Sequence, residues 1–277
     1  MRAPGKLGLE NLELRLLLDA IHGVTGIDFR GYAPASLKRR VLSRVHAEKL
    51  PSISALQDRV LHDSDCMHRL ISAITVHYTA LFRDPGLWSA FREKVLPLLA
   101  QQTAPRLWVA GCSSGEEVYS LAIVLEESGL ADHARVYATD LSEELIERAR
   151  AGIFPLGLMK EYTANYLAAG GTRSFSNYYS ADHEAAIMSA ALRRRIVFAR
   201  HCLATDGSFN EFHVILCRNV TIYFGAALQA RVHELLFASL APGGVLALGR
   251  AETLRGLAHE NDFEPLDVRQ RIFRRKS

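Results

Sequence analysis

The sequence predicts an α/β protein in which a helical amino-terminal part precedes alternating strands and helices on a mainly parallel sheet. Three observations carry this. Residues 10–100 show helical periods and no convincing strand. Leu107–Ala110 is a short apolar run of the kind buried in a parallel sheet, followed by a glycine-bounded turn, Gly111-Cys112-Ser113-Ser114-Gly115, and a helix from about Glu116 to Glu127. A second β-prone run, Ala134–Thr139, ends at Asp140 before the helix start Leu141-Ser142-Glu143-Glu144.

In chain order, Leu12, Leu16 and Ile21 fit a first helix that Gly23 and Gly26 end. Leu37, Val41 and Val45 recur every four residues and give a second helix one buried stripe, with Arg40 and Arg44 along one edge and Arg39 and His46 beyond the other. Residues 52–70 supply one or two more helices. A helix over Leu87–Ala100 and the polar stretch Gln101–Pro105 lead into the α/β part, which places the domains at 1–102 and 103–277. Residues 156–193 interrupt the alternation with three glycines and the aromatic run Phe175–Tyr179, and Ala185–Arg193 reads equally as strand or helix. Arg195–Ala199 and Val214–Cys217 resume as core strands. Ala226–Leu240 then reads as a helix and Pro242-Gly243-Gly244 as a turn into Val245–Gly249. Phe263–Val268 and Arg271–Arg274 close the sheet as a hairpin of reversed strands.

The turn after the first strand has Gly-x-x-x-Gly spacing, without the third glycine of the dinucleotide fingerprint or the Lys-Ser/Thr of a P-loop. Ser113 or Ser114 can cap the helix, and the geometry aims backbone N–H groups at a ligand. Glu116 and Glu117 in the first helical turn would repel phosphates, but either can accept from an amine or a ribose hydroxyl. Asp140, at the end of the second strand, stands where nucleoside-binding α/β folds hold ribose hydroxyls. Together these favour S-adenosylmethionine over a nicotinamide dinucleotide.

Three stretches, Ala110-Gly111-Cys112-Ser113-Ser114-Gly115-Glu116-Glu117-Val118-Tyr119-Ser120-Leu121-Ala122, Ala138-Thr139-Asp140-Leu141-Ser142 and Cys217-Arg218-Asn219-Val220-Thr221-Ile222-Tyr223-Phe224, closely resemble the chemotaxis receptor methyltransferases, the CheR family. The resemblance runs from about residue 12 to 275. It implies a class I S-adenosylmethionine-dependent methyltransferase (Rossmann-like) sheet, an all-helical amino-terminal domain and a small antiparallel β insertion over 156–193, which in some members docks a tethering peptide. It also implies S-adenosyl-L-methionine as cofactor and S-adenosyl-L-homocysteine as product.

By the same resemblance, Gly111, Glu117, Asp140, Arg218 and Asn219 line the cofactor pocket, and Tyr223 faces the methyl group and the substrate. In Val76–Arg83 the family pattern Asn-x-Thr-x-Phe-Phe-Arg is matched at Thr79, Phe82 and Arg83, while His77 stands at the asparagine and Leu81 at the first phenylalanine. Arg83 offers a planar fork for a carboxylate, either of the cofactor's methionine part or of a substrate glutamate. At Cys202-Leu203 the family has Asn-Leu; the thiol is a poor substitute for an amide, and one neutral hydrogen bond is worth about 0.5–1.5 kcal/mol. A basic helix of the amino-terminal domain meets the receptor in the family, so Arg39, Arg40 and Arg44 become candidate contacts. Glu252 follows in the family's Gly-x-x-Glu position.

Composition narrows the alternatives. The net charge of +3 is too small to argue for nucleic acid. The basic excess sits in residues 1–100, with 14 Lys and Arg against 10 Asp and Glu; an acidic protein partner or a merely solvated face would both account for it. No apolar run reaches the ~18–20 residues of a membrane span, and the start lacks a signal-peptide core, so a cytoplasmic protein without membrane insertion is expected. Cys66, Cys112, Cys202 and Cys217 show no metal-type pairing, and the eleven histidines form no His-x-x-x-His pair. A monomer is expected. The expected reaction is methyl transfer to receptor glutamates, giving γ-glutamyl methyl esters. The rivals are a methyltransferase of the same fold with another acceptor and a non-catalytic module that binds cofactor or product.

Overall fold

A computed structural model describes residues 6–75 and 79–277. The chain forms two compact units: one built from the chain up to residue 77 with Tyr223–Arg231, the other from residues 78–222 with Val232–Ser277.

The first unit holds helices α1 (Lys6–Thr25), α2 (Pro34–Ala47), α3 (Ile53–His62) and α4 (Ser64–Ile74), with α1 packed on α3, and α2 and α3 on α4. Each start has a local cause. Pro34 opens α2 with its φ already set, the Ser52 hydroxyl accepts from the Ala55 N–H at 3.1 Å, and the Asp63 carboxylate accepts from the Cys66 N–H at 3.0 Å. The stripe Leu37, Val41 and Val45 is buried as expected. The expected core face of α1 is not: Leu12 and Leu16 are exposed, and the helix packs through Leu14, Leu17, Leu18 and Ile21. Glu13, on the buried side, explains the rotation, since its carboxylate accepts from the Ser54 hydroxyl at 2.6 Å and anchors α1 to the start of α3. Tyr223–Arg231 joins this unit through two backbone hydrogen bonds, Ala33 N–H to Tyr223 O and Gly225 N–H to Gly31 O, and an edge contact between Tyr32 and Phe224.

The second unit begins with α5 (Pro85–Ala90), which passes through a π-helical turn, Phe91–Val95, into α6 (Leu96–Leu99). The expected single helix over Leu87–Ala100 widens because Pro97 has no N–H for a carbonyl one turn back. Leu87, Trp88, Phe91, Val95 and Leu99 share a core with Leu107 and Val109 of the sheet. For this reason the compact division falls before Thr79, not near residue 103.

The strands are β1 (Arg106–Ala110), β2 (Arg135–Asp140), β3 (Ile153–Pro155), β4 (Tyr179–Ala181), β5 (Ala185–Met188), β6 (Ile196–Arg200), β7 (Phe212–Cys217), β8 (Leu240–Leu248), β9 (Phe263–Asp267) and β10 (Ile272–Arg275). Among the described residues the main sheet has the order β6-β2-β1-β7-β8-β10-β9; β6 to β8 run parallel, and β10 is antiparallel to both β8 and β9. The order reverses between β1 and β7, so the crevice at their carboxyl ends is a switch point of the kind where open α/β sheets bind ligands. Helices α7 (Glu116–Glu127) and α8 (Glu143–Ala151) follow β1 and β2, and the Ser142 hydroxyl caps α8 on the Leu145 N–H. β8 starts earlier than the Pro242 turn suggested. Phe212 pairs with Leu240 but Val214 with Val245, and the extra residues bulge at Gly243, whose φ is +73°.

The insertion is a three-stranded antiparallel sheet, β3-β5-β4, with α9 (Met159–Ala168). Ala185–Arg193 divides between both of its readings: β5 is followed by α10 (Ala190–Arg193), capped by Ser189. α11 (Ala226–Ser239) leads into β8. Among the described residues no helix is long and apolar enough to cross a membrane, and no group of three His, Cys, Asp or Glu residues could hold a metal ion.

Candidate functional site

The turn after β1 is held from below by β2. The N–H groups of Gly111 and Cys112 both donate to the Thr139 carbonyl at 2.8 Å, the Ser113 N–H donates to Asp140 Oδ2 at 2.9 Å, and the Gly115 N–H to the Cys112 carbonyl at 3.0 Å. The expectation that the turn aims its amides at a ligand is therefore corrected for these four, which are used internally. Neither serine caps α7. Its cap position is Gly115 in the left-handed region, and the Ser114 hydroxyl donates to Glu116 Oε2 at 2.7 Å. Gly111 (φ +76°) also has no room for a side chain, because a Cβ would lie 2.6 Å from a Val220 methyl. The glycine thus brings the β1 turn against the loop after β7, and Asp140, which also accepts from the Ser142 N–H at 3.1 Å, ties it to β2.

The loop after β7 carries Arg218, whose side chain is 2% exposed. Its Nη1 donates to Glu117 Oε1 at 2.8 Å, and its Nη2 to Asp84 Oδ2 at 2.6 Å. Burial works against the charge, but Glu117 and Asp84 outweigh it and hold the guanidinium above its ordinary pKa. Asp84 also pairs with Arg250 Nε at 3.3 Å. Burial pushes the Glu116 carboxyl up, and burial likewise pushes the Cys112 and Cys217 thiols well up, so neither thiol is an activated nucleophile.

Backbone strain is concentrated in the same place. Phe82 (φ 53°) and Asp84 (φ 56°) both sit in the left-handed region, as do Ser113 (φ 50°) and Asn219 (φ 61°). The Phe82 N–H is fixed by the Ser120 hydroxyl at 2.7 Å, which in turn donates to the Glu116 carbonyl, and the Phe82 ring packs on Trp88 and Tyr166. Behind the loop, the buried Glu252 carboxylate accepts from the N–H groups of Asn219, Val220, Thr221 and Gly249 and from the Thr221 hydroxyl.

The second unit thus brings together Gly111, Glu117, Asp140, Arg218 and Asn219 of the expected set. Thr79 and Arg83 are half-buried at its start, on the strained segment that carries Asp84. Cys202 and Leu203 follow β6; the Cys202 N–H donates to Asp206 Oδ2 at 2.9 Å, and Leu203 is buried. His77 lies outside the described residues. Tyr223 belongs to the first unit, where its ring lies 4.6 Å from the Arg40 guanidinium. Asp84 and Glu252 were missed as partners. Asp84 precedes a proline and looks like a helix cap, yet its side chain makes no cap bond, and nothing in the sequence ties it to an arginine 134 residues on.

The family model described as "CheR methyltransferase, SAM binding domain" matches residues 77–272, and "CheR methyltransferase, all-alpha domain" matches residues 12–75. The protein named Cher3 of Pseudomonas putida is 44% identical over 265 residues, 96% of this chain and 97% of that one. A chemotaxis protein methyltransferase of Listeria monocytogenes is 32% identical, covering 86% of this chain and 90% of that one, and chemotaxis protein methyltransferase 1 of Pseudomonas aeruginosa is 27% identical, covering 88% and 89%.

The strand-end groups suit S-adenosylmethionine. The Ser113 hydroxyl and Arg218 Nε are buried without a hydrogen-bond partner, and carboxylates rather than a ring of amides surround the turn, which fits hydroxyls and a cationic ligand and disfavours phosphates. With a class I methyltransferase sheet, these motifs and both family domains in order, the chain belongs to the CheR methyltransferase family and is an S-adenosylmethionine-dependent methyltransferase.

Proposed function

We propose that this enzyme methylates glutamate side chains of a chemoreceptor. One observation carries the reading: proteins named chemotaxis protein methyltransferase align with 80% or more of this chain, through the helical unit as well as the α/β unit. Conservation of the methyltransferase sheet alone would say nothing about the acceptor.

When bound, S-adenosylmethionine supplies a sulfonium-activated methyl group for in-line displacement. A glutamate acceptor is ionised at neutral pH, so it needs no general base from the protein. What remains for the chain is placement. Asp140 takes the ribose hydroxyls and Glu117 the cationic methionine end, with Arg218 keeping Glu117 in position. Asn219, Thr79, Gly111 and Leu203 complete the walls, and Cys202 contributes a weaker contact than an amide would. Arg83 orients a carboxylate, and Tyr223 is assigned to the substrate side.

For receptor recognition, geometry favours Arg39 over the other two candidates on α2. Arg39 and His46 are exposed, whereas Arg40 donates to the Ile74 carbonyl and covers Tyr223, and Arg44 pairs with Glu48 at 2.7 Å. Arg39→Glu should lower receptor methylation about tenfold at unchanged affinity for S-adenosylhomocysteine. The decisive assay incubates the enzyme with methyl-labelled S-adenosylmethionine and a receptor cytoplasmic fragment. Base-labile label on glutamate is expected; cofactor binding without any base-labile product would overturn the reading.

A further inference from the structure

Glu252 is the most heavily hydrogen-bonded side chain near the candidate site, and no part of the transfer step uses it. Its side chain comes from the segment after β8, reached through the turn at Gly249, and it is 3% exposed. Oε1 accepts from Val220 N–H (2.9 Å), Thr221 N–H (2.8 Å) and Thr221 Oγ1 (2.9 Å). Oε2 accepts from Asn219 N–H (2.9 Å) and Gly249 N–H (2.6 Å). An ionised carboxylate is acceptor-only at both oxygens, which matches five converging donors; an amide would turn an NH2 toward some of them.

Four of these five donors belong to the residues directly after Arg218. Asn219 is held at φ +61°, a region that asparagine enters more readily than most non-glycine residues, and the bonds from three successive amides to Glu252 fix it there. The packing is close on the other side too, since a Cβ on Gly249 would lie 2.7 Å from Glu252 Oε2 and 2.8 Å from the Asn219 nitrogen. Arg218 itself is fixed from the front by Glu117 and Asp84. The loop is thus held by acidic groups on two sides, and the rear one sets its backbone.

We propose that Glu252 is a positioning residue for methyl transfer: by gathering the amides of residues 219–221 and 249, it fixes the left-handed turn at Asn219 and thereby the cofactor-facing side of the Arg218–Asn219 loop. It acts through that loop and touches neither cofactor nor acceptor. The inference rests on reading Arg218 and Asn219 as cofactor-pocket residues.

The test measures S-adenosylhomocysteine affinity by calorimetry and amide hydrogen exchange on the full chain, for Glu252→Gln, Thr221→Val and Asn219→Ala. Glu252→Gln should bind at least tenfold more weakly. Its amides at 219–221 should exchange at least tenfold faster while those of β1 and β2 keep their protection. Thr221→Val, which removes one of the five donors, should lose about threefold in affinity with the same local pattern. Affinity within twofold of wild type in a folded Glu252→Gln protein overturns the proposal, as does faster exchange spread evenly over the sheet, which marks a merely structural role. Should Glu252→Gln not fold, Thr221→Val decides: wild-type affinity and exchange there overturn the proposal. Asn219→Ala separates the two levels, because unchanged affinity in that variant removes the pocket reading itself, whatever Glu252 does.

Discussion

Two buried charge networks in the second unit look alike in composition and differ in how completely they are closed. Around Glu127, at the end of α7, one carboxylate receives Arg92, the Tyr166 hydroxyl, the Tyr178 hydroxyl at 2.9 Å and the Thr172 N–H at 3.4 Å, and Arg92 Nε also reaches the Ala169 carbonyl. This network joins α7, α9 and the Phe91–Val95 turn to the insertion. Around Arg218 the polarity is reversed: one guanidinium meets two carboxylates, and its Nε is left without a hydrogen-bond partner. A saturated network fixes structure, while one with a buried donor in reserve has something to offer a ligand.

The difference predicts separable losses. Arg218→Ala should have the largest effect, lowering S-adenosylhomocysteine affinity at least about hundredfold, or roughly 2.7 kcal/mol. It should also cost about 3 kcal/mol of stability, because Glu117 would lose its charge partner and Asp84 would keep only the exposed Arg250. Calorimetry and urea unfolding would show both. Glu127→Gln should cost about 3 kcal/mol in urea unfolding by leaving Arg92 without its charge partner, yet the folded fraction should bind S-adenosylhomocysteine as wild type does. A matching loss of affinity would erase the distinction between the two networks. Tyr178→Phe should remove one hydrogen bond, about 1 kcal/mol, again without changing affinity. Burial, then Glu127, pushes the Tyr178 hydroxyl pKa up, so it stays a donor at any working pH.

The smallest effect is pH-dependent. His259 faces Asp262 through Nδ1 at 2.8 Å and Glu234 of α11 through Nε2 at 2.7 Å, a geometry that both carboxylates satisfy only with the doubly protonated ring. The ring stacks on Phe237, over which the Arg275 guanidinium also lies at 4.1 Å. The hydrogen bond to Asp262, then that to Glu234, raises the His259 pKa above its ordinary value against some desolvation. A raised folded-state value stabilises the fold fully below the unfolded pKa of about 6.5, and the contribution is lost as pH rises through the folded one. The stability difference between wild type and His259→Gln should accordingly shrink from pH 6 to pH 9, measured as urea midpoints. A constant difference would mean that the ring does not titrate there.

The sequence was most informative where a single segment carries its own signal. The bounds of α7 were readable from an apolar run between a glycine turn and Glu127, and the end of β2 at Asp140 was readable from a β-prone run before a helix start. It was least informative where a role depends on distant partners. Leu12 and Leu16 look as apolar as Leu14 and Leu17, and only Glu13 pairing with Ser54 turns them outward. Arg40 looked like a free basic edge residue, but the Ile74 carbonyl and Tyr223 engage it. Glu252 was only a match to a pattern, because the five donors that define it come from loops far apart in the chain. The π-helical turn before Pro97 was readable in principle, since a proline inside a helical pattern announces a lost hydrogen bond.

The strand order also constrains how the protein is assembled. β9 precedes β10 in the chain, yet β10 lies between β9 and β8 in the sheet. Until Ile272–Arg275 has emerged, β8 presents an open edge of unpaired backbone groups and β9 has no neighbour to join. When that short strand arrives it pairs on both sides at once, with Arg275 reaching the carbonyls of Phe237 and Leu240. A ribosome-bound chain could therefore contain every candidate site residue and still carry an unfinished, aggregation-prone sheet. Loss of these four residues would be felt first as failed maturation.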